Sequence, residues 1–264
     1  MMILKKLLFF FYLFPFFILA DNRLKTDDNH LGKARVTLKV AIEEIGYSPY
    51  NYKENGEIKG FTIDVLDYIE ANSKYDFEFV TLPWPRTLYL VAEGKVDLIL
   101  TLFKNKKRAK TYHFIEPSYG YEINKLFTLA DNDFQYNGRL KQLLPYSVGT
   151  KREFSYGEAF DSANYLTKLP ALTEEVLLKL LLTRRIDMAI SNPYVFNQLI
   201  KKNNVISKVQ EMEPYVAKTP VYLGLTKVRA DSQEIKETLG RLIKQFKAAP
   251  YYQVLLNKYQ LNFK

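Results

Sequence analysis

The 264-residue sequence has no cysteine, one tryptophan and two histidines. Without thiols there can be no disulfides, thiolate catalysis, thiolate metal sites or thioether lipid anchor. The two histidines, His30 and His113, lie far apart and form no metal-ligand motif, so no metal site is expected. No cofactor is expected either. Beyond residues 1–20 no segment has the ~18 uninterrupted apolar residues that a membrane helix needs. Basic residues outnumber acids 38 to 29, which favours anionic ligands and surfaces. They are scattered, with no basic run or nucleic-acid motif, so nucleic acid is not an expected partner.

What is present begins with an export signal. Lys5 and Lys6 precede the apolar run 7–18, which contains Pro15, and Ala20 stands before the charged Asp21. A basic start, a short apolar middle and a small residue at the cut predict a cleaved signal peptide over 1–20 and a periplasmic product, the alternative being an uncleaved anchor. Cleavage leaves a formal charge of about +7. Residues 21–34 are polar and read as a flexible lead.

From residue 36 the pattern alternates strand and helix. VTLKVAI is a strand, and the Gly- and Asn-rich segment after it a loop with a tight turn at Asn55-Gly56. TIDVLDYIEANSK predicts a helix capped by Thr62 or Asp64. FEFVTL, PRTLYLVAEGK and VDLIL predict strand, helix and buried strand, the helix ending at Gly94. This order argues a mostly parallel sheet with helices on its faces. A second unit of like construction follows from about residue 122. KLFTLA and YSVGT read as strands, YGEAFDSANYL as a helix, and LTEEVLLKLLLTRR as a helix capped by Thr173 with Glu174 and Glu175 in its first turn. IDMAI repeats the VDLIL pattern, NPYVFNQLIKK is a helix, PVYLGLTK a strand, and 232–260 helical with a break at Pro250. Asp97 and Asp187, each at the start of a buried strand, are expected to bond nearby backbone.

GEIKGFTIDVLDYI, GKVDLIL followed by KRAKTYHFIEPSY, RRIDMAISN, and PVYLGLTK before two closing helices resemble the bacterial extracellular solute-binding proteins of family 3. The resemblance covers nearly everything after residue 35. It implies an α/β, two-lobed type II periplasmic binding protein fold with two hinge crossings and the ligand between the lobes. Lobe 1 would comprise 35–122 and 225–264, and lobe 2 residues 123–224. It also implies a monomer that delivers an amino acid or related carboxylate to an inner-membrane ABC permease.

The resemblance places Arg108 where a guanidinium clamps a ligand carboxylate, the planar fork being suited to two parallel hydrogen bonds. Trp84, stiffened by Pro83 and Pro85, falls where an aromatic ring faces the ligand, with Tyr50 as a second wall. Arg86 could reach the same cleft or pair outside. In VGTKREFSYG, Arg152, Ser155 and Tyr156 are further ligand candidates, and Glu153 replaces the usual glycine. Asn192 stands where amino-acid binders carry Asp. Either another acid, Glu153 or Glu116, meets the ligand's ammonium, or the ligand lacks one. With Arg86, Arg108, Lys151 and Arg152 nearby in this reading, the balance tilts toward an anionic solute. Two alternatives come with the resemblance: a cyclohexadienyl dehydratase with Glu153 or Glu116 as general acid, and a ligand-sensing module for a membrane receptor.

Overall fold

The computed structural model describes residues 34–43 and 46–261. The expected signal peptide and the lead, apart from Ala34, lie outside them. The chain runs through β1 (Val36–Ile42), β2 (Tyr52–Glu54), β3 (Glu57–Lys59), α1 (Phe61–Ala71), β4 (Tyr75–Thr81), α2 (Trp84–Ala92), β5 (Leu98–Phe103), α3 (Lys106–Thr111), β6 (Tyr112–Phe114) and β7 (Gly120–Leu129). It continues with β8 (Ser147–Lys151), α4 (Glu158–Asp161), β9 (Thr167–Ala171), α5 (Glu174–Leu182), β10 (Met188–Ser191), α6 (Pro193–Lys202), β11 (Val209–Glu211), β12 (Ala217–Thr226), α7 (Ser232–Ala248) and α8 (Pro250–Lys258).

The main sheet has the order β4-β1-β5-β12-β7-β10-β8-β9. Its two ends are built alike. β1 pairs in parallel with β4 and β5, and β8 in parallel with β9 and β10. Each end has its own core. Leu38, Val40 and Leu98 pack under α1, α7 and α8 at one end, whereas Phe127, Ala189 and Val209 pack under α5 and α6 at the other. The antiparallel strands β7 and β12 join them: Gly120 to Asn124 pairs with Val221 to Ala217. Asp97 and Asp187 hold matching places, each accepting a 2.7 Å bond from the backbone N–H of the neighbouring strand, at Lys39 and at Ser147.

Three local expectations change. The 52–59 segment is a two-stranded hairpin around the Asn55-Gly56 turn rather than an open loop. The helix expected over 156–166 shrinks to the four residues of α4, because the Asp161 side chain turns back onto the Tyr156 N–H and the Ser155 hydroxyl. The edge strand β9 follows it; Pro170 is tolerated there because an edge strand leaves N–H positions unpaired.

Helix α1 has neither Thr62 nor Asp64 as its cap. Its first N–H groups, at Phe61 and Thr62, donate to the carbonyls of Pro49 and Tyr50 at 2.9 and 2.8 Å. The N-cap is Gly60, with φ 134°, and a Cβ there would lie 2.3 Å from the Tyr50 carbonyl oxygen. Glycine is required on both counts, since an L side chain avoids that φ and the approach leaves no room for it. Replacing Gly60 with Ala is expected to cost about 2–4 kcal/mol. A urea-denaturation midpoint unchanged in Gly60→Ala would contradict this account of the turn.

Candidate ligand site

Two segments of the first end and one of the second converge at the cleft. β1 leads into a loop carrying Glu43, Tyr47 and Tyr50. Helix α2 starts at Trp84, with extended Pro83 as its N-cap and Pro85 in its first turn, so the indole is presented at the helix entry. Short α3 carries Arg108, whose backbone N–H bonds the Asn105 side chain at 2.8 Å. From the other end β8 stops at Lys151. A tight turn follows, in which the Phe154 N–H donates to the Lys151 carbonyl and Glu153 has φ 57°.

Trp84 and Arg108 come together, with the guanidinium carbon 5.6 Å from the centre of the indole. Both donate to the Glu153 carbonyl oxygen, Trp84 Nε1 at 3.0 Å and Arg108 Nη2 at 2.9 Å. Arg108 Nη1 donates to the Phe103 carbonyl at 3.2 Å. Burial pulls the Arg108 pKa down, yet a guanidinium with these acceptors stays charged. Phe154 lies beside this junction, its ring centre 6.0 Å from Trp84, 6.2 Å from Tyr47, 5.8 Å from Phe103 and 5.2 Å from Tyr156.

Next to this cluster lies a cavity of about 330 Å³ with walls from both ends of the molecule: Glu43, Tyr47 and Trp84 on one side, Lys151, Glu174 and Gln198 on the other. Lys151 Nζ spans the cleft to both Glu43 oxygens at 2.8 Å. Glu174 is 7% exposed and accepts the Ser191 hydroxyl at 3.0 Å. Burial raises its pKa to about 7, against the lowering effect of the Lys151 charge. Behind the cavity Glu122, fully buried on β7, accepts the Tyr47 hydroxyl at 2.7 Å. Burial pushes this carboxyl to about 8, although the Tyr47 bond opposes the shift. Asn192 and Asn124 lie beside this carboxyl and also hold its pKa down against burial.

The remaining candidates are dispersed. Tyr50 is buried behind the wall, stacked on Tyr47 at 5.8 Å, with its hydroxyl on the Tyr121 carbonyl. Arg86 is exposed and lines neither this cavity nor the wider recess of about 850 Å³ beside it. That recess is lined by Arg152, Ser155 and Tyr156 together with Arg108. Ser155 bonds Asp161, and the Tyr156 hydroxyl accepts the Lys151 N–H at 2.7 Å. Asn192 caps α6, its Oδ1 accepting the Tyr194 N–H at 2.9 Å. Glu116 is exposed and bonded to Lys104, and the Glu153 side chain is also exposed, so neither acid faces the cavity. Glu43, Tyr47, Phe154 and Glu174 escaped the sequence reading. Glu174 carried a misleading signal, since an acid in a first turn has a sufficient explanation in the helix dipole. Among the described residues no cluster suited to a metal occurs, and no helix is long and apolar enough to cross a membrane.

The profile of the bacterial extracellular solute-binding proteins, family 3, matches residues 38–262, and the chain belongs to that family. A probable histidine-binding protein of Campylobacter jejuni is 21% identical over 250 residues, covering 93% of this chain and 94% of that protein. A probable amino-acid-binding protein of Bacillus subtilis, YxeM, is 24% identical over 192 residues, 72% of this chain and 69% of that one. A histidine kinase sensor domain with similarity to periplasmic binding proteins superposes with a TM-score of 0.73 at 18% identity, covering 86% of this chain and 96% of that one. The fold is the two-lobed α/β fold of periplasmic binding proteins.

The buried carboxyls predict an unusual pH response. A glutamate raised from 4.5 to about 8 keeps its proton in the folded protein where the unfolded chain has released it. The folded state then binds more protons between those values, and stability falls as pH rises through that window. Glu174, raised to about 7, acts in the same direction. Urea midpoints should therefore decrease from pH 5 to pH 8, and less steeply in Glu122→Gln; equal slopes for the two proteins would refute the assignment.

Proposed function

We propose that the protein is exported to the periplasm, closes its lobes over one amino acid as a monomer, and delivers it to an inner-membrane ABC permease. The lobes would divide as 35–122 with 225–264, and 123–224, about the β7 and β12 crossings. The observation that carries the reading is the 330 Å³ cavity, walled from both lobes and lined by charges of both signs: Glu43, Glu174 and Glu175 against Lys151 and Lys202. Such a lining suits a zwitterion better than the simple anion that the basic composition favours. It also answers the absence of Asp at 192, because Glu174 can meet an ammonium in place of Glu153 or Glu116. Membership in the family and the amino-acid-binding names of the relatives support the same class.

A carboxylate clamp at Arg108 would require the Glu153 carbonyl to give way, since that oxygen already takes the Arg108 and Trp84 donors. The dehydratase reading has no support in the positions of Glu116 and Glu153. A sensor role is compatible with the likeness to a kinase sensor domain and would use the same cavity.

Trp84, the sole tryptophan, lines the cavity, so its fluorescence should respond when the protein is titrated with a panel of amino acids and matching carboxylates that lack the amine. Amino acids are expected to bind and their deaminated counterparts are not. Glu174→Gln, which keeps the shape and removes the charge, should weaken the best ligand at least about tenfold. Binding of the deaminated acids alone, or an unchanged affinity in Glu174→Gln, would overturn the ligand class.

A further inference from the structure

We propose that Phe154 is a specificity-determining residue: its ring fills the aromatic box at the Trp84 and Arg108 face of the cleft, bars solute from it, and confines solute to the adjoining cavity. The consequence for solute rests on the proposed function, but the occupancy of the box does not.

Phe154 comes from the second lobe, yet it packs against two hydrophobic clusters of the first as well as one of its own. Four aromatic rings, Tyr47, Trp84, Phe103 and Tyr156, surround it at 5.2–6.2 Å. The space left between it and Tyr47, Trp84 and Thr101 is about 20 Å³. That is room for no more than a water molecule. Between the box and the 330 Å³ cavity stand Glu43, Tyr47 and Trp84, which line both, so the ring fills one compartment of a divided cleft.

The backbone fixes the ring in place. Glu153 sits at φ 57°, a region that non-glycine residues seldom occupy and that the surroundings must enforce. Here two donors from the other lobe, Trp84 Nε1 and Arg108 Nη2, hold the Glu153 carbonyl. They are the kind of donors that suit an anionic oxygen, and here the protein's own carbonyl takes both. The Glu153 carbonyl and the Phe154 ring together occupy what would otherwise be a polar contact and a ring pocket.

Removing the ring should leave a compartment walled mainly by four aromatic rings, which an apolar ring of matching size can enter. The test uses toluene, which needs neither the natural solute nor any partner protein. Toluene should raise the melting temperature of Phe154→Ala, perturb Trp84 emission, and bind at least about tenfold more tightly than to the unaltered protein. Phe154→Val, which leaves a smaller void at the same place, gives the same comparison if the alanine variant does not fold. Equal binding to the unaltered protein would show that the box is already open. A folded variant, with native circular dichroism, that binds no toluene would show that the ring does not fill it; either result overturns the proposal. Toluene binding confined to the variants, alongside a silent amino-acid panel, would uphold the plug and count against the proposed function.

Discussion

The antiparallel pairing of β7 with β12 over Gly120 to Asn124 is the constraint on which the rest depends. Beyond it each strand turns to a different set of partners. β7 continues along β10 and β11, while β12 continues along β5 and β6. In the proposed closure, relative movement of the lobes would be taken up in this stretch, where both connecting strands run side by side. The core there includes carboxyl and amide side chains. Glu122 and Asn124 are fully buried there, with Asn124 and Asn192 beside the Glu122 carboxyl.

The cleft is tied to that crossing by two tyrosines of one loop. Tyr47 bonds Glu122 and Tyr50 bonds the Tyr121 carbonyl, so successive residues of β7 hold the loop that walls the cavity. The same loop lends the Pro49 and Tyr50 carbonyls to the start of α1. Loop, helix and crossing strand are thus one polar assembly, and a change at the crossing reaches the cavity wall through two hydrogen bonds rather than through a long relay.

Sequence pattern recovered what depends on local repetition and little of what depends on juxtaposition. β1, β5, β10 and β12 declare themselves by apolar β-branched runs, α5 by its Thr173 cap, and the paired roles of Asp97 and Asp187 by their place before matching strands. β9 was hidden because its residues are mostly exposed and include Pro170, so it has neither alternation nor an apolar run. Trp84 and Arg108 were singled out through family resemblance, and they do stand together. Their acceptor was not foreseeable: a carbonyl contact carries no side-chain signature, and Phe154 in REFSYG looks like one aromatic among many. Glu43 and Lys151 are more than 100 positions apart, and only the fold reveals the pair.

The ionic lining of the cavity limits what can be held there. A solute drives closure only by what it gains in the closed state beyond what the protein already has. Glu43 to Lys151, Gln198 to Ser48 and Tyr194 to the Gln260 carbonyl already span the lobes. The Glu43 and Lys151 pair is partly buried, and breaking it would strand the buried Lys151 charge, so a solute does best by adding to the pair without replacing a member. With Glu174 protonated, the acids Glu43 and Glu175 balance Lys151 and Lys202. With Glu174 ionised, the lining gains one negative charge beside the entering solute. A carboxyl poised at about 7 can make that change near neutral pH. An ammonium arriving next to it would supply the compensation that burial denies the carboxylate, and the solute's own carboxylate would face the lysine side. A zwitterion meets both requirements with one molecule, whereas an anion meets only the second and leaves Glu174 neutral.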